Sequence, residues 1–145
     1  MAQRVLVDQL NIHTTYDLRA DKEVAVKSYD IPRIARNHVP IDATQISKYI
    51  EEGEDFRESP VSFRMMQGLY RDFVQSYGLT FGTVIKGILA TDSSPHNASL
   101  FHCTAGKDRT GWTRTCSIVA RYQRGGEAQG LPAHEHVLQG TARCL

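Results

Sequence analysis

Apolar side chains recur at helical spacing through the middle third of the chain. A first stripe predicts a helix that Ser62 caps, and it consists of Met66, Leu69, Tyr70, Phe73 and Tyr77. A second stripe predicts another helix directly after it, and it consists of Phe81, Val84, Ile85, Ile88 and Leu89. Gly82 and Gly87 fall inside the second helix, where each glycine costs about 1 kcal/mol of helix propensity. Two consecutive amphipathic helices are therefore expected.

Two further helices are predicted, one on each side of this pair. Upstream, Asp42 followed by Gln45 resembles a capping box, Gly53 marks the end of the helix, and its apolar stripe is Ile46, Tyr49 and Ile50. Downstream, a helix is predicted over 112–122, with one face made of Trp112, Cys116, Val119 and Ala120. The opening residues 3–11 suit a short helix or a buried strand, and we favour the helix.

Strands are predicted where β-branched and aromatic residues cluster between turn signals. The three segments are residues 12–19, residues 37–41 and the short apolar run 100–103, which follows a turn-rich loop at 91–99. Strands that alternate with helices indicate a single α/β domain with a small, mainly parallel sheet flanked by helices. From residue 125 onwards glycine and proline occur without a sustained period, which predicts a loosely ordered tail over 125–145.

Composition excludes several classes of function. The chain has 145 residues, 17 basic and 16 acidic, and these charges are interspersed, so a net charge of +1 makes nucleic-acid binding a poor first hypothesis. Three sparse cysteines, Cys103, Cys116 and Cys144, argue against a disulfide framework and for a reducing compartment. The sequence has no signal-peptide profile, no apolar run near the ~20 residues of a membrane span and no Cys-x-x-Cys pair for zinc. We expect a soluble, cytoplasmic protein without metal or cofactor, and its oligomeric state stays open.

The chemistry is concentrated in HCTAGKDRTG, residues 102–111. A strand, a glycine-containing loop and a helix in succession direct backbone N–H groups and the positive end of a helix dipole at one point, which makes an anion site. Such surroundings lower a cysteine pKa from about 8.5 to about 3.5–7.5. Cys103 at the entrance of this loop is therefore a candidate nucleophile, although a lone intracellular cysteine is more often a core residue.

The side chains after Cys103 fit phosphoryl transfer. Arg109 can grip two oxygens of a phosphate held over the sulfur, because its guanidinium is a planar fork. A leaving alkoxide or phenoxide needs a proton, and Asp108 is our first choice of general acid because it is the carboxylate within this segment. Thr110 offers a hydroxyl to the thiolate, and Lys107 adds a positive charge at the rim of the loop.

The same ten residues resemble the signature of cysteine-dependent tyrosine and dual-specificity phosphatases, which is His-Cys, five residues, Arg, then Ser or Thr and Gly. With Lys-Asp before the arginine, the loop is most similar to the atypical protein-tyrosine/serine and lipid phosphatases of bacteria and fungi. Upstream, TTYDLRADKEV and LYRDFVQSYGLTFGTVIKGILA resemble the "DLR" strand and the helical stretch of that group. The resemblance extends over residues 1 to about 112.

The resemblance implies a phosphatase-like catalytic domain over residues 1–124, with a helical insertion or lid at about 43–90. Its activity would be hydrolysis of phosphotyrosine, phosphoserine, phosphothreonine or phosphoinositides through a phosphocysteine. The implied catalytic residues are Cys103, Asp108 and Arg109, and the implied substrate-binding residues are Thr104, Ala105, Gly106, Lys107 and Thr110. Lys107 would influence the choice between phosphoprotein and phosphoinositide substrates.

Three neighbouring residues are expected to support the loop. Asp17 and Arg19 would lie at the carboxyl end of an adjacent strand, close to the same crevice. We expect Asp17 to hold the loops through Arg19 or a backbone amide, and His102 to be a hydrogen-bonded scaffold residue beside the sulfur.

Two alternatives to a phosphatase stay open. Members of the family usually carry further strands before the "DLR" segment and a longer set of helices after the loop, so the fold is expected to be incomplete at both ends. A catalytically inactive phosphate- or phosphoinositide-binding fragment is therefore the main alternative, and a sulfur-transfer or thiol-redox enzyme using Cys103 is the second. A nucleotide-binding loop at Gly106 and Lys107 is excluded, because Phe101 replaces the first glycine and Asp108 replaces the magnesium-binding Ser or Thr.

Overall fold

A computed structural model describes residues 4–42, 53, 59–91 and 96–125 of the chain. Most of the helix predicted between Asp42 and Gly53 lies outside the described residues. The tail predicted over 125–145 also lies outside them, except that Gly125 belongs to the last helix.

Three parallel strands form the sheet of the described residues, in the order β2-β1-β3. Strand β1 is Ile12–Asp17, β2 is Ala35–His38 and β3 is Ala98–His102. Asp17, the last residue of β1, lies opposite His38 of β2 and His102 of β3. The carboxyl ends of all three strands therefore meet at one edge of the sheet, and the predicted α/β class with a small parallel sheet flanked by helices is confirmed.

The helices begin earlier than the apolar pattern predicts. Helix α1 is Asp21–Val26, α2 is Ser59–Gln75, α3 is Gly78–Ala90 and α4 is Asp108–Gly125, and a π-helical turn spans Arg4–Gln9. Helix α1 was not predicted, and the opening residues are helical as favoured.

Two predicted helix starts were wrong. Ser62 lies inside the first turn of α2, because the helix already begins at Ser59 and Pro60 needs no hydrogen-bond acceptor there. Helix α4 starts at Asp108 rather than Trp112, and an acidic residue in the first turn is favoured by the helix dipole. This early start brings Asp108 and Arg109 onto the helix.

The predicted strands are displaced by a few residues. Strand β2 is Ala35–His38 rather than 37–41. Backbone bonds to the chain of β1 continue past the end of β2, since Val39 N bonds Asp17 O at 2.9 Å and Ile41 N bonds Leu18 O at 3.3 Å. Pro40 between them has no N–H, and it lies where the strand needs no donor towards β1. Strand β1 ends at Asp17 instead of residue 19, and β3 is Ala98–His102 instead of 100–103.

One core joins the sheet to α2, α3 and the start of the loop after β3. Its buried members are Tyr16, Leu18, Ile41, Leu69, Phe73, Phe81, Val84, Ile88 and Cys103. Trp112 of α4 packs against this cluster, with its ring centroid 6.2 Å from Phe73 and 6.4 Å from Phe81. The described part of the predicted insertion thus packs into the core beneath the loop, and its role as a lid stays a prediction.

Gly87 lies in α3 because a side chain there would meet Tyr16. A Cβ at residue 87 would overlap Tyr16 Oη and lie 2.9 Å from Cζ of the same buried ring. We expect Gly87→Ala to destabilise the fold by about 1–3 kcal/mol, even after its gain in helix propensity. Thermal and urea unfolding measure the change. Gly78→Ala in the same helix meets nothing within 4 Å and is the control, expected to leave stability unchanged or slightly higher. An equal response of the two variants would contradict the steric explanation.

Candidate active site

The reactive loop is the turn between β3 and α4. Strand β3 ends at His102, residues 103–107 form the loop, and α4 begins at Asp108. Gly106 has φ +69°, a left-handed backbone conformation that residues with a Cβ rarely adopt. The glycine therefore allows the loop to turn and direct its amides back towards Cys103.

Hydrogen-bond donors converge on the sulfur of Cys103, which is only 9% exposed. Thr110 Oγ1 donates to Sγ at 3.1 Å, and the backbone N–H groups of Gly106 and Thr110 point at the same atom. Burial raises the pKa of the Cys103 thiol, but these donors and the charge of Arg109 outweigh it and hold the pKa below its usual value. The arrangement favours a thiolate.

Arg109 is buried and anchored along one edge of its guanidinium. Nη1 donates to Leu18 O at 3.2 Å, to Ile41 O at 3.0 Å and to Glu23 Oε2 at 2.6 Å, while Nη2 donates to Glu23 Oε1 at 2.9 Å. The two carbonyls belong to the chain just beyond β1 and β2. Three separate segments thus fix the plane of the guanidinium.

The same guanidinium also interacts with the sulfur of Cys103. Arginine has five N–H donors, and the bonds to Glu23 and the carbonyls use both hydrogens of Nη1 and one of Nη2. The Nε–H and the second Nη2 hydrogen take no part in those bonds. Burial lowers the pKa of Arg109, but its bonds to Glu23 and, to a smaller extent, its interaction with the Cys103 sulfur raise it above the usual value. Two donors on one side of a guanidinium are what bidentate binding of an oxyanion uses.

Glu23 is the site residue that the sequence reasoning missed. It lies in α1, and its carboxylate accepts hydrogen bonds from both terminal nitrogens of Arg109. It also accepts hydrogen bonds from the hydroxyl of Thr104 and from the backbone N–H of Ala20, the latter at 2.7 Å. Hydrogen bonding by Arg109 lowers the pKa of Glu23 to about 2, with burial opposing and Thr104 and Ala20 assisting. The available signal was its place six residues after Asp17 in the "DLR" segment, but a six-residue helix gives no sustained period.

We expect the Glu23 carboxylate to make the free energy of unfolding depend on pH in the acidic range. Its pKa is depressed from 4.5 to about 2 in the folded state, so its contribution is present above about pH 4.5 and is lost as the pH falls towards 2. Glu23→Gln should lower the free energy of unfolding at pH 7 by roughly 1–3 kcal/mol. Urea unfolding at pH 7, 5, 4 and 3 measures both proteins, and their difference should shrink below pH 4.5. A difference that is independent of pH would show that the carboxylate charge does not act this way.

A buried polar cluster supports the strand ends beneath the loop. Asp17 is fully buried and accepts Arg19 Nη2 at 2.7 Å, Arg19 N at 3.2 Å and Arg36 Nη2 at 2.8 Å. Burial raises the pKa of Asp17, but the hydrogen bonds from the two guanidinium groups lower it by more. The pKa is therefore well below its usual range. Asp17 thus has the expected bonds to Arg19, through both its guanidinium and its backbone amide, and its role in holding the loops stays a prediction.

His102, which precedes Cys103, is hydrogen-bonded as expected. Its Nε2 lies 2.6 Å from Tyr29 Oη, and its Nδ1 lies 3.3 Å from Cys103 O. Guanidinium groups of Arg19 and Arg36 contact the Tyr29 ring, with Cζ 5.6 Å and 4.6 Å from its centroid. Tyr29 therefore links the polar cluster to the residue that precedes the sulfur.

The remaining predicted site residues lie around the rim of the loop. Thr104, Ala105, Gly106 and Lys107 are exposed, and Thr104 bonds Glu23. Asp108 is partly buried at the start of α4, where its Oδ1 accepts the hydroxyl of Tyr70 at 3.1 Å. All eight predicted residues thus belong to one loop and the first turn of its helix.

Thr110 provides a test of how the thiolate is stabilised. Thr110→Val keeps the shape of the side chain but removes the hydroxyl that donates to Sγ, so the pKa of Cys103 should rise. The pH dependence of Cys103 alkylation by iodoacetamide, followed by mass spectrometry, should shift its midpoint upwards. Thr115→Val, one turn further along α4 with its hydroxyl on Gly111 O, is the matched control and should leave the midpoint in place. An unchanged midpoint in Thr110→Val would contradict this role.

Comparison with known proteins agrees with the geometry. A model of the tyrosine phosphatase family matches residues 1–119, so the chain belongs to the tyrosine phosphatase family. Neither the curated proteins nor the solved structures include a significant match. The helices within the described ranges include none that is long and apolar enough to span a bilayer.

Proposed function

We propose that the protein hydrolyses phosphate monoesters through a phosphocysteine formed on Cys103. The observation that carries this proposal is the convergence of the Thr110 hydroxyl, two backbone amides and the Arg109 guanidinium on one sulfur at the bottom of an exposed loop. A thiolate held in this way is ready for nucleophilic attack, and the same donors suit the oxygens of a phosphoryl group.

In the first step, the Cys103 thiolate attacks phosphorus in line with the leaving oxygen. The S–P bond forms as the P–O bond to the leaving group breaks. Asp108 transfers its proton to that oxygen, so the alcohol or phenol leaves neutral. The loop amides and the guanidinium of Arg109 hold the three equatorial oxygens, where negative charge is spread in the transition state.

In the second step, water attacks the phosphocysteine. Asp108, now a carboxylate, accepts a proton from the water while the new P–O bond forms and the S–P bond breaks. The sulfur leaves as a thiolate, and the hydrogen bond from Thr110 stabilises that charge. Inorganic phosphate is released, and both Asp108 and Cys103 return to their starting protonation states.

The proposed substrates are phosphotyrosine, phosphoserine or phosphothreonine in proteins, or phosphoinositides, met in the cytoplasm. Support comes from the exposure of residues 104–107, which leaves the rim of the loop accessible to more than one kind of phosphate ester. Lys107 on the outer side of the loop would favour substrates that carry a second phosphate or acidic neighbours.

The test is to trap the covalent intermediate. The purified chain is mixed with p-nitrophenyl phosphate, quenched in acid within milliseconds, digested and analysed for phosphate on the peptide that contains Cys103. We expect a phosphorylated Cys103 peptide, a burst of nitrophenol and inhibition by vanadate. Phosphate binding without product would instead support the inactive binding fragment, and turnover of thiosulfate alone would support sulfur transfer.

A further inference from the structure

Tyr70 connects helix α2 to the start of α4. Its hydroxyl donates to Asp108 Oδ1 at 3.1 Å, across 38 positions of sequence. Its ring is held edge-on against two neighbours, with centroids 5.4 Å from Phe73 and 5.9 Å from Trp112. The ring is therefore fixed by the core while 36% of the residue remains exposed beside the loop.

We propose that Tyr70 is a positioning residue for the general acid, holding one carboxyl oxygen of Asp108 so that the transferred proton is carried by the other. This inference rests on the proposed function, in which Asp108 protonates the leaving oxygen. An aspartate in the first turn of a helix can otherwise turn to the free backbone N–H groups of that turn. The bond from α2 keeps Oδ1 occupied and leaves Oδ2 for the proton.

The same bond is stronger in the transition state than in the ground state. When Asp108 gives up its proton it becomes a carboxylate, and a hydrogen bond to an ionised acceptor is roughly twice as strong as one to a neutral acceptor. An interaction that strengthens during the reaction accelerates it. Burial and the neighbouring Asp108 raise the pKa of Tyr70, so its hydroxyl remains a donor across the working pH range.

The experiment compares two aryl phosphates that differ in how much they need an acid. Phenyl phosphate has a poor leaving group and depends on protonation, whereas p-nitrophenyl phosphate leaves more readily as the anion. Tyr70→Phe keeps the ring contacts and removes only the hydroxyl. We expect kcat/KM for phenyl phosphate to fall by about 5–20-fold, a fraction of the roughly 10²–10⁴-fold contribution of a general acid, and that for p-nitrophenyl phosphate to change by less than about 2-fold.

The ratio of the two rate constants within one preparation is independent of the folded fraction, so loss of stability cannot mimic the result. Tyr122→Phe on the exposed face of α4 makes the same chemical change away from the loop, and it should alter neither rate. An equal loss for both substrates in Tyr70→Phe would mean that Tyr70 contributes packing only and would overturn the proposal.

A double-mutant cycle with Asp108→Asn tests whether Tyr70 acts through Asp108. In the Asp108→Asn background, Tyr70→Phe should have no further effect on either substrate. A full additional loss would show that Tyr70 acts elsewhere. If Asp108→Asn itself spares phenyl phosphate, Asp108 is not the acid and the role of Tyr70 fails with it, while the phosphocysteine at Cys103 is judged separately by the trapping experiment.

Discussion

Cys103→Ser is expected to lower kcat/KM for aryl phosphates by a factor of at least about 10⁴, which is the scale on which enzymes respond to loss of a nucleophile. The serine hydroxyl is far less acidic than the thiol, so the donors that lower the pKa of Cys103 cannot produce an alkoxide at neutral pH. The change removes the covalent route and leaves the loop amides and Arg109 in place. Steady-state assays with p-nitrophenyl phosphate measure the loss.

Oxyanion binding provides the second readout of this variant. Tungstate affinity, measured by calorimetry, should stay within about 10-fold of the parent, because the anion site does not depend on the sulfur alone. Cys116→Ser makes the same replacement at a buried cysteine further along α4 and should retain most of the activity. Residual turnover of Cys103→Ser close to that of Cys116→Ser would show that another group is the nucleophile.

The sequence was sufficient for the loop because everything the loop needs is contiguous. Within residues 102–111, the order of Cys103, Gly106 and Arg109 corresponds to a strand end, a left-handed turn and a helix start, and the structure has each of them. Thr110, predicted to offer its hydroxyl to the thiolate, lies 3.1 Å from Sγ. Local backbone geometry therefore determines most of the site.

The groups that complete the site are remote in sequence, which is why the pattern did not reveal them. Glu23 precedes Arg109 by 86 positions, and Tyr70 precedes Asp108 by 38. Both pairings depend on how α1 and α2 pack against the sheet and α4, and hydrophobic periodicity carries no information about such polar contacts. Helix boundaries also limited the prediction, since α2 and α4 both start a few residues before their apolar stripes begin.

Arg109 connects helix α1 to the chain that follows β2. Glu23 accepts a hydrogen bond from Arg109. The preceding residue, Lys22, forms an exposed ion pair with Asp42, with Nζ 3.7 Å from Oδ1. The carbonyl oxygen of Ile41, the residue before Asp42, accepts a hydrogen bond from Arg109. The chain on both sides of β2 is thus tied to the same guanidinium, so the arginine organises the walls of the site as well as interacting with the sulfur.

Arg109→Lys should lower kcat/KM by roughly 10³-fold, because a single ammonium cannot replace a bidentate fork beside developing negative charge. The ammonium of lysine has three donors on one nitrogen, so it can replace Nη1 at best. It has no second nitrogen for the bond that Nη2 makes with Glu23 Oε1, and no donor left for an anion over the sulfur. The variant should therefore bind tungstate more weakly as well as turn over slowly, unlike Cys103→Ser. Kinetics with p-nitrophenyl phosphate, calorimetry with tungstate and thermal unfolding measure the three effects.

Arg121→Lys is the matched control for this last change, because it makes the same replacement at an exposed position of the same helix. It should leave activity, tungstate affinity and melting temperature unchanged. If Arg109→Lys lost only stability and kept its affinity for tungstate, the guanidinium would be a structural tie between α1, the strand ends and α4. The guanidinium would then have no part in holding the phosphoryl group, and the in-line geometry proposed for the reaction would fail.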